Sequence, residues 1–123
     1  MSEKRKISIP PLIKKDRVAS KYWNDTIPLL QSKDIITELD IALLTNYCLA
    51  YANAMRMEYF LKENGQTVKV GTKGYTQVRP EVAIARESWK DVRTCADRLG
   101  LSPMARKKIN MDEGDEEDDF LGL

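Results

Sequence analysis

The chain of 123 residues contains no histidine. This removes the side chain most often used as a general base near neutral pH, and with it the commonest zinc ligand. Only two cysteines are present, Cys48 and Cys95, and neither stands in a CxxC pair or beside a second ligand at metal-binding spacing. Each falls in an apolar helical pattern, so both are expected as reduced, buried thiols of a cytoplasmic protein. Aromatic residues are 7% of the chain, which allows a modest core and excludes a large one. No apolar run reaches the roughly 20 residues of a membrane span. The uncharged stretch from Ile41 to Met55 falls short and is interrupted by Asn46 and Asn53. The basic N-terminus is not followed by the apolar segment of a secretory signal. Glu38, Glu58 and Glu63 are spread along one helical pattern, and no Ser or Cys has a visible base. Neither a catalytic residue, nor a metal site, nor a cofactor is expected.

What is present is charge, unevenly placed. The formal net charge is +1, from 20 Lys and Arg against 19 Asp and Glu. Seven of those acids lie in Asp112–Asp119, where there is no base. Twelve acids therefore face twenty bases in residues 1–111, a body of about +8. A basic body followed by an acidic tail suggests a polyanionic partner for the body and a separate task for the tail. Three regions follow: a flexible basic arm over 1–15, a helical body over 16–110, and an acidic tail over 111–123. In the arm, Pro10–Pro11 is expected to block a helix.

The longest pattern is Thr37–Asn64, which contains no Pro and no Gly and is stopped by Gly65. Ala, Leu and Met make it a good helix former, and its length would be on the order of 40 Å. Thr37 or Asp34 is suited to cap its start, and Gly65 to take a left-handed conformation at its end. Ile41, Leu44, Cys48, Tyr51, Met55 and Tyr59 share one face at 3-4 spacing. Leu43, Tyr47, Ala50, Ala54, Met57 and Leu61 form a second stripe. A helix apolar on most sides is buried on most sides.

Around it the spacing predicts a shorter helix from Arg17 to about Thr26, capped by Asp16 and ended or bent at Pro28. Residues 66–78 carry β-branched side chains around Gly71 and Gly74, a short hairpin or extended loop. Pro80 opens a second strong helix, closed at Gly100, with the seam Val82, Ala85, Trp89, Val92, Ala96 and Leu99. That seam suits a long antiparallel hairpin with the Thr37–Asn64 helix, and would leave the stripe Tyr47, Ala50, Ala54 and Met57 for copies of the chain. Ser102 and Pro103 restart a short C-terminal helix. The fold class is mainly α. The tail, rich in like charges, is expected to be disordered until a partner orders it.

Several stretches together resemble a known family. LDIALLTNYCLAYANAM, the positions Gly65, Gly71, Gly74 and Pro80, and LGLSPMARKKI are similar to the P27-like small subunit of phage terminases, as is Asp-Phe-Leu near the C-terminus. The resemblance covers about residues 34–109. It implies a mostly helical, ring-forming protein of the host cytoplasm. Such a protein binds double-stranded viral DNA and presents it to the terminase large subunit, which carries the ATPase and nuclease. It implies no catalytic residue and no fixed motif for DNA contact, so those contacts are named from charge alone. They are Lys4, Arg5, Lys6, Lys14, Lys15, Arg17 and Lys21 in the arm and first helix, with Arg86, Lys90 and Arg93 on the later helix. Asp118, Asp119, Phe120 and Leu121 have the character of a peptide that docks on the large subunit, or competes with DNA for the basic body. The alternative is a small helix-turn-helix transcription regulator using Leu99–Ile109, although that basic helix is short for a recognition element.

Overall fold

The computed structural model describes residues 7–101. In order they form α1 (Pro11–Lys14), α2 (Arg17–Ser32), α3 (Ile41–Asn64), β1 (Thr67–Val70), β2 (Tyr75–Val78) and α4 (Pro80–Arg98). The fold is mainly α. A small antiparallel β-hairpin joins the two longest helices, which make the most extensive contact between any two elements.

Each helix boundary has a local cause. Asp16 caps α2 by accepting a hydrogen bond from the Ala19 amide at 3.1 Å. The end of α2 is a Schellman turn: the Asp34 amide donates to Gln31 O at 3.1 Å and the Ile35 amide to Leu30 O at 3.0 Å. Asp34 takes the left-handed position there, with φ 60, so it closes the preceding helix and does not cap the next. Thr37 does that work. Its hydroxyl accepts from the Leu39 amide, and the Asp40 carboxylate accepts from its own amide at 2.9 Å. This reciprocal pair holds one 3-10 turn, Glu38–Asp40, ahead of α3. Gly100 ends α4 in the same manner as Asp34 ends α2, with the Leu101 amide donating to Ala96 O at 2.8 Å.

Two expectations near the N-terminus are corrected. Pro10–Pro11 does not prevent a helix. Pro11 occupies the first helical position of α1, where the missing N–H has no partner to lose. The described part of the arm is packed: Ile7 is 4% exposed and Ile13 fully buried. Their apolar side chains join a core with Trp23 and Ile27 of α2, an outlet that the basic composition of the arm conceals. Likewise α2 continues through Pro28 to Ser32, so of the two expected effects of that proline the ending does not occur. The lost ladder bond is offset by burial of Ile27 and partial burial of Leu30 on either side.

The core sits where α1, α2, the first half of α3 and the end of α4 meet, around Ile13, Trp23, Ile27, Ile36, Leu44, Cys48, Cys95 and Leu99. Both cysteines are free and buried, as expected. Beyond this core α3 and α4 run on as a two-helix arm. The hairpin at its end is exposed on both faces, with Val68 and Gly74 alone half-buried.

Candidate functional site

The basic residues expected to meet DNA are partly brought together. Lys14 from the end of α1 and Lys15, Arg17 and Lys21 around the start of α2 line one open hollow, with Ser20, Asn24 and Asp25. Their convergence follows from the tight corner after α1, where the Asp16 amide donates to Ile13 O at 3.0 Å. The corner is held in turn by Asp16, whose two carboxylate oxygens accept from the Arg56 guanidinium on α3 at 2.9 and 2.7 Å. That guanidinium, together with the Ala19 amide, holds the Asp16 carboxyl below its ordinary range against the opposing effect of burial. Arg17 stands at the first position of α2, where a cation opposes the helix dipole. Helix stability therefore does not account for its placement. Lys21 pairs with Asp25 at 2.9 Å across the exposed face.

Arg86, Lys90 and Arg93 are exposed on α4, three and four residues apart and so on one face. They form a row separate in sequence and element from the hollow. Lys4, Arg5 and Lys6 lie outside the described residues, as do the docking candidates Asp118, Asp119, Phe120 and Leu121 and the short helix expected after Ser102.

The expected oligomer stripe Tyr47, Ala50, Ala54 and Met57 is largely covered in the single chain. Tyr47 and Ala50 are each 7% exposed and Ala54 is fully buried within the single subunit, while Met57 is half-buried. Ala50, Ala54 and Leu61 are buried outside the main core, as are Ala85 and Ser88 on α4. Small side chains on both helices suit a close approach of the α3–α4 pair, the most extensive contact between elements. Tyr47 is committed further: its hydroxyl lies 2.7 Å from the Tyr22 hydroxyl. Burial pushes both phenols up from their ordinary range, and burial pushes the Cys48 thiol up to about 12.

The other face of α3 was expected against α4 and lies partly in the open. Tyr51, Met55 and Tyr59 line a groove with Val18 and Tyr22 of α2. Tyr22 stacks on Tyr51 with centroids 3.8 Å apart and planes at 14°, and Trp89 meets Tyr51 edge-on at 6.1 Å. Trp89 is fixed by donating its indole N–H to Glu58 at 3.1 Å. Sequence reasoning missed this groove. The signal was the recurrence of Tyr51, Met55 and Tyr59 at i, i+4, i+8, one row of large apolar side chains too many for a single seam. Among the described residues no group of three His, Cys, Asp or Glu is placed to hold a metal, and no helix is long and apolar enough to cross a membrane.

Compared with known proteins, residues 19–116 match the family described as phage terminase, small subunit. No curated protein and no solved structure matches the chain. Since the family match runs through nearly all of α2 and the whole of α3, the hairpin and α4, the chain belongs to the phage terminase small subunit family.

Proposed function

We propose that this chain is the non-catalytic DNA-binding subunit of the packaging machine: it assembles as a ring, holds double-stranded viral DNA and delivers it to the large ATPase and nuclease subunit. Family membership supports a role in phage DNA packaging, in the infected host cell. The finer reading is carried by the hollow formed by Lys14, Lys15, Arg17 and Lys21, an exposed basic surface around the α1–α2 corner. Four cations against the single Asp25 favour phosphates without the geometry to read bases. A ring would repeat that weak patch at high effective concentration. Arg86, Lys90 and Arg93, and Lys4, Arg5 and Lys6 of the arm, are proposed as further phosphate contacts. Asp118, Asp119, Phe120 and Leu121 are proposed as the segment that engages the large subunit. The regulator alternative has the family match against it.

The apolar groups available to a neighbouring copy differ from those first expected. Val70, Tyr75, Val78 and Ile84 are exposed on the hairpin and the start of α4. Val70 and Tyr75 are paired directly across the ladder, so they share a face. A two-stranded hairpin with that face uncovered is marginal in water, and contact with a second copy would cover it.

DNA affinity measured against salt concentration tests the basic hollow. Each phosphate contact contributes about 0.9 to the slope of log affinity against log salt. Replacing Lys14, Lys15, Arg17 and Lys21 by Ala is expected to flatten the slope by about 3.6 and to weaken binding equally for unrelated sequences. Unchanged binding at low salt would remove the hollow from the DNA contact.

A further inference from the structure

The groove between α2 and α3 has a volume of about 480 Å³ and two kinds of wall. Val18, Tyr22, Tyr51, Met55 and Tyr59 make it apolar and aromatic, and Tyr59 remains 62% exposed within it. Arg17 and Lys21 border the same groove and also line the basic hollow beside it. The two concavities are therefore contiguous: a cationic surface leads directly into an aromatic slot.

One segment of this chain carries the complementary chemistry in the same order. Asp112–Asp119 has seven acids and no base, and Phe120 and Leu121 follow immediately. We propose that the groove is the docking site of the chain's own C-terminal segment, with Phe120 and Leu121 among the tyrosines and the acidic run across Lys14, Lys15, Arg17 and Lys21. Reach is sufficient. Leu101 packs beside the core that contains Leu44, and the α3 stretch from Leu44 to Tyr59 is about 22 Å long. The sixteen residues between Leu101 and Asp118 extend to about 50 Å. The Lys21–Asp25 pair does not obstruct the segment: both side chains are exposed, and such pairs contribute little. Duplex DNA satisfies the cations but has no group for the aromatic slot, since its bases are stacked and paired.

Docking does not rest on the DNA-binding proposal, although one consequence does. The docked tail would occupy the cations proposed to hold phosphates. A tethered segment has an effective concentration on the order of 1 mM, so a contact with a dissociation constant of about 0.1 mM is occupied about nine-tenths of the time. Releasing it would raise apparent DNA affinity about tenfold. Capture of the same tail by the large subunit would then open the hollow to DNA at the moment of delivery.

The test uses the full-length chain with the photoreactive residue p-benzoylphenylalanine in place of Phe120. Irradiation followed by peptide mass spectrometry is expected to place cross-links on Val18–Tyr22 and Tyr51–Tyr59. Lys21→Glu and Tyr59→Glu, both at exposed positions and checked for an unchanged unfolding midpoint, should each reduce the yield about fivefold or more. Cross-links that map elsewhere, fail to form, or ignore both substitutions overturn the docking. Separately, the Phe120→Ala/Leu121→Ala chain, which keeps every acid, should bind DNA about tenfold more tightly than the parent. Equal affinity with groove cross-links present overturns the competition and leaves the docking. If neither chain binds DNA at low salt, the DNA-binding proposal fails while the cross-links still decide the docking.

Discussion

Asp16 serves two elements at once, capping α2 and receiving both arms of the Arg56 guanidinium from α3. Because Arg56 holds its pKa below the ordinary value of 3.8, the linkage has a definite sign. The ion pair contributes stability that is present above about pH 4 and is lost as pH falls through the lowered folded-state pKa. Asp16→Asn keeps a good cap and removes the charge. It is expected to cost about 1 kcal/mol near pH 7, discounted because Arg56 is partly exposed, and to flatten the acid limb of a stability–pH curve measured by urea unfolding. A parallel acid limb in both proteins would assign the acid sensitivity to other carboxylates. Ala54 makes the second residue-scale prediction. It is fully buried within one subunit, so Ala54→Asp should destabilise the isolated subunit by about 3 kcal/mol or more in chemical denaturation. A change within about 0.5 kcal/mol, accompanied by dissociation of an assembly, would return that stripe to the subunit interface.

Among the elements, the turn from α3 into the hairpin depends on Gly65. Its φ of 83 and ψ of 166 lie in a region that only glycine adopts readily, outside the left-handed helical region expected from the sequence. No atom lies within 4 Å of a Cβ built there. Gly65→Ala is therefore a purely backbone test and should cost about 1–3 kcal/mol by thermal or chemical unfolding. The hairpin beyond it is closed by the Arg79 amide donating to Gln66 O at 2.9 Å, and its strands pair in the register Thr67–Val78 to Val70–Tyr75.

At the scale of the whole molecule, the stripe that α3 was expected to offer other copies is largely buried within the subunit, while Val70, Tyr75 and Val78 stay exposed on the hairpin, as do Leu12, Leu29 and Leu39 elsewhere. If the proposed ring closes through the hairpin, Val70→Ser with Tyr75→Ser should reduce the native mass, read by light scattering, while leaving the helical signal and the unfolding midpoint of the core unchanged. An assembly of unaltered mass would show that the hairpin face is covered by something else. The basic hollow is lined by residues of α1 and α2 and by none of the hairpin, so this variant should keep its salt-dependent DNA affinity per subunit.

Local chemistry in the chain determined most of the elements. Asp16, Thr37 and Pro80 mark helix starts, Gly65 and Gly100 mark ends, and the β-branched residues around Gly71 and Gly74 mark the hairpin, because caps, glycine conformations and proline positions act over a few residues. The acidic tail and the basic body were equally legible as composition. Partner choice among apolar faces was not, because two 3-4 stripes on one helix are equivalent until the neighbouring helices are placed. Ala50 and Ala54 are buried within the subunit, as are the small residues Ala85 and Ser88 of α4, which suit a close approach of the two helices. Tyr51, Met55 and Tyr59 are left beside α2, where a shorter helix covers them only in part. The packing of Ile7 and Ile13 was hidden for the same reason: an isoleucine in a basic arm has no partner until Trp23 and Ile27 bring one within reach. Tertiary structure alone decided which stripe became core and which became a groove, since burial is a property of pairs of surfaces and the sequence of one face does not name the other.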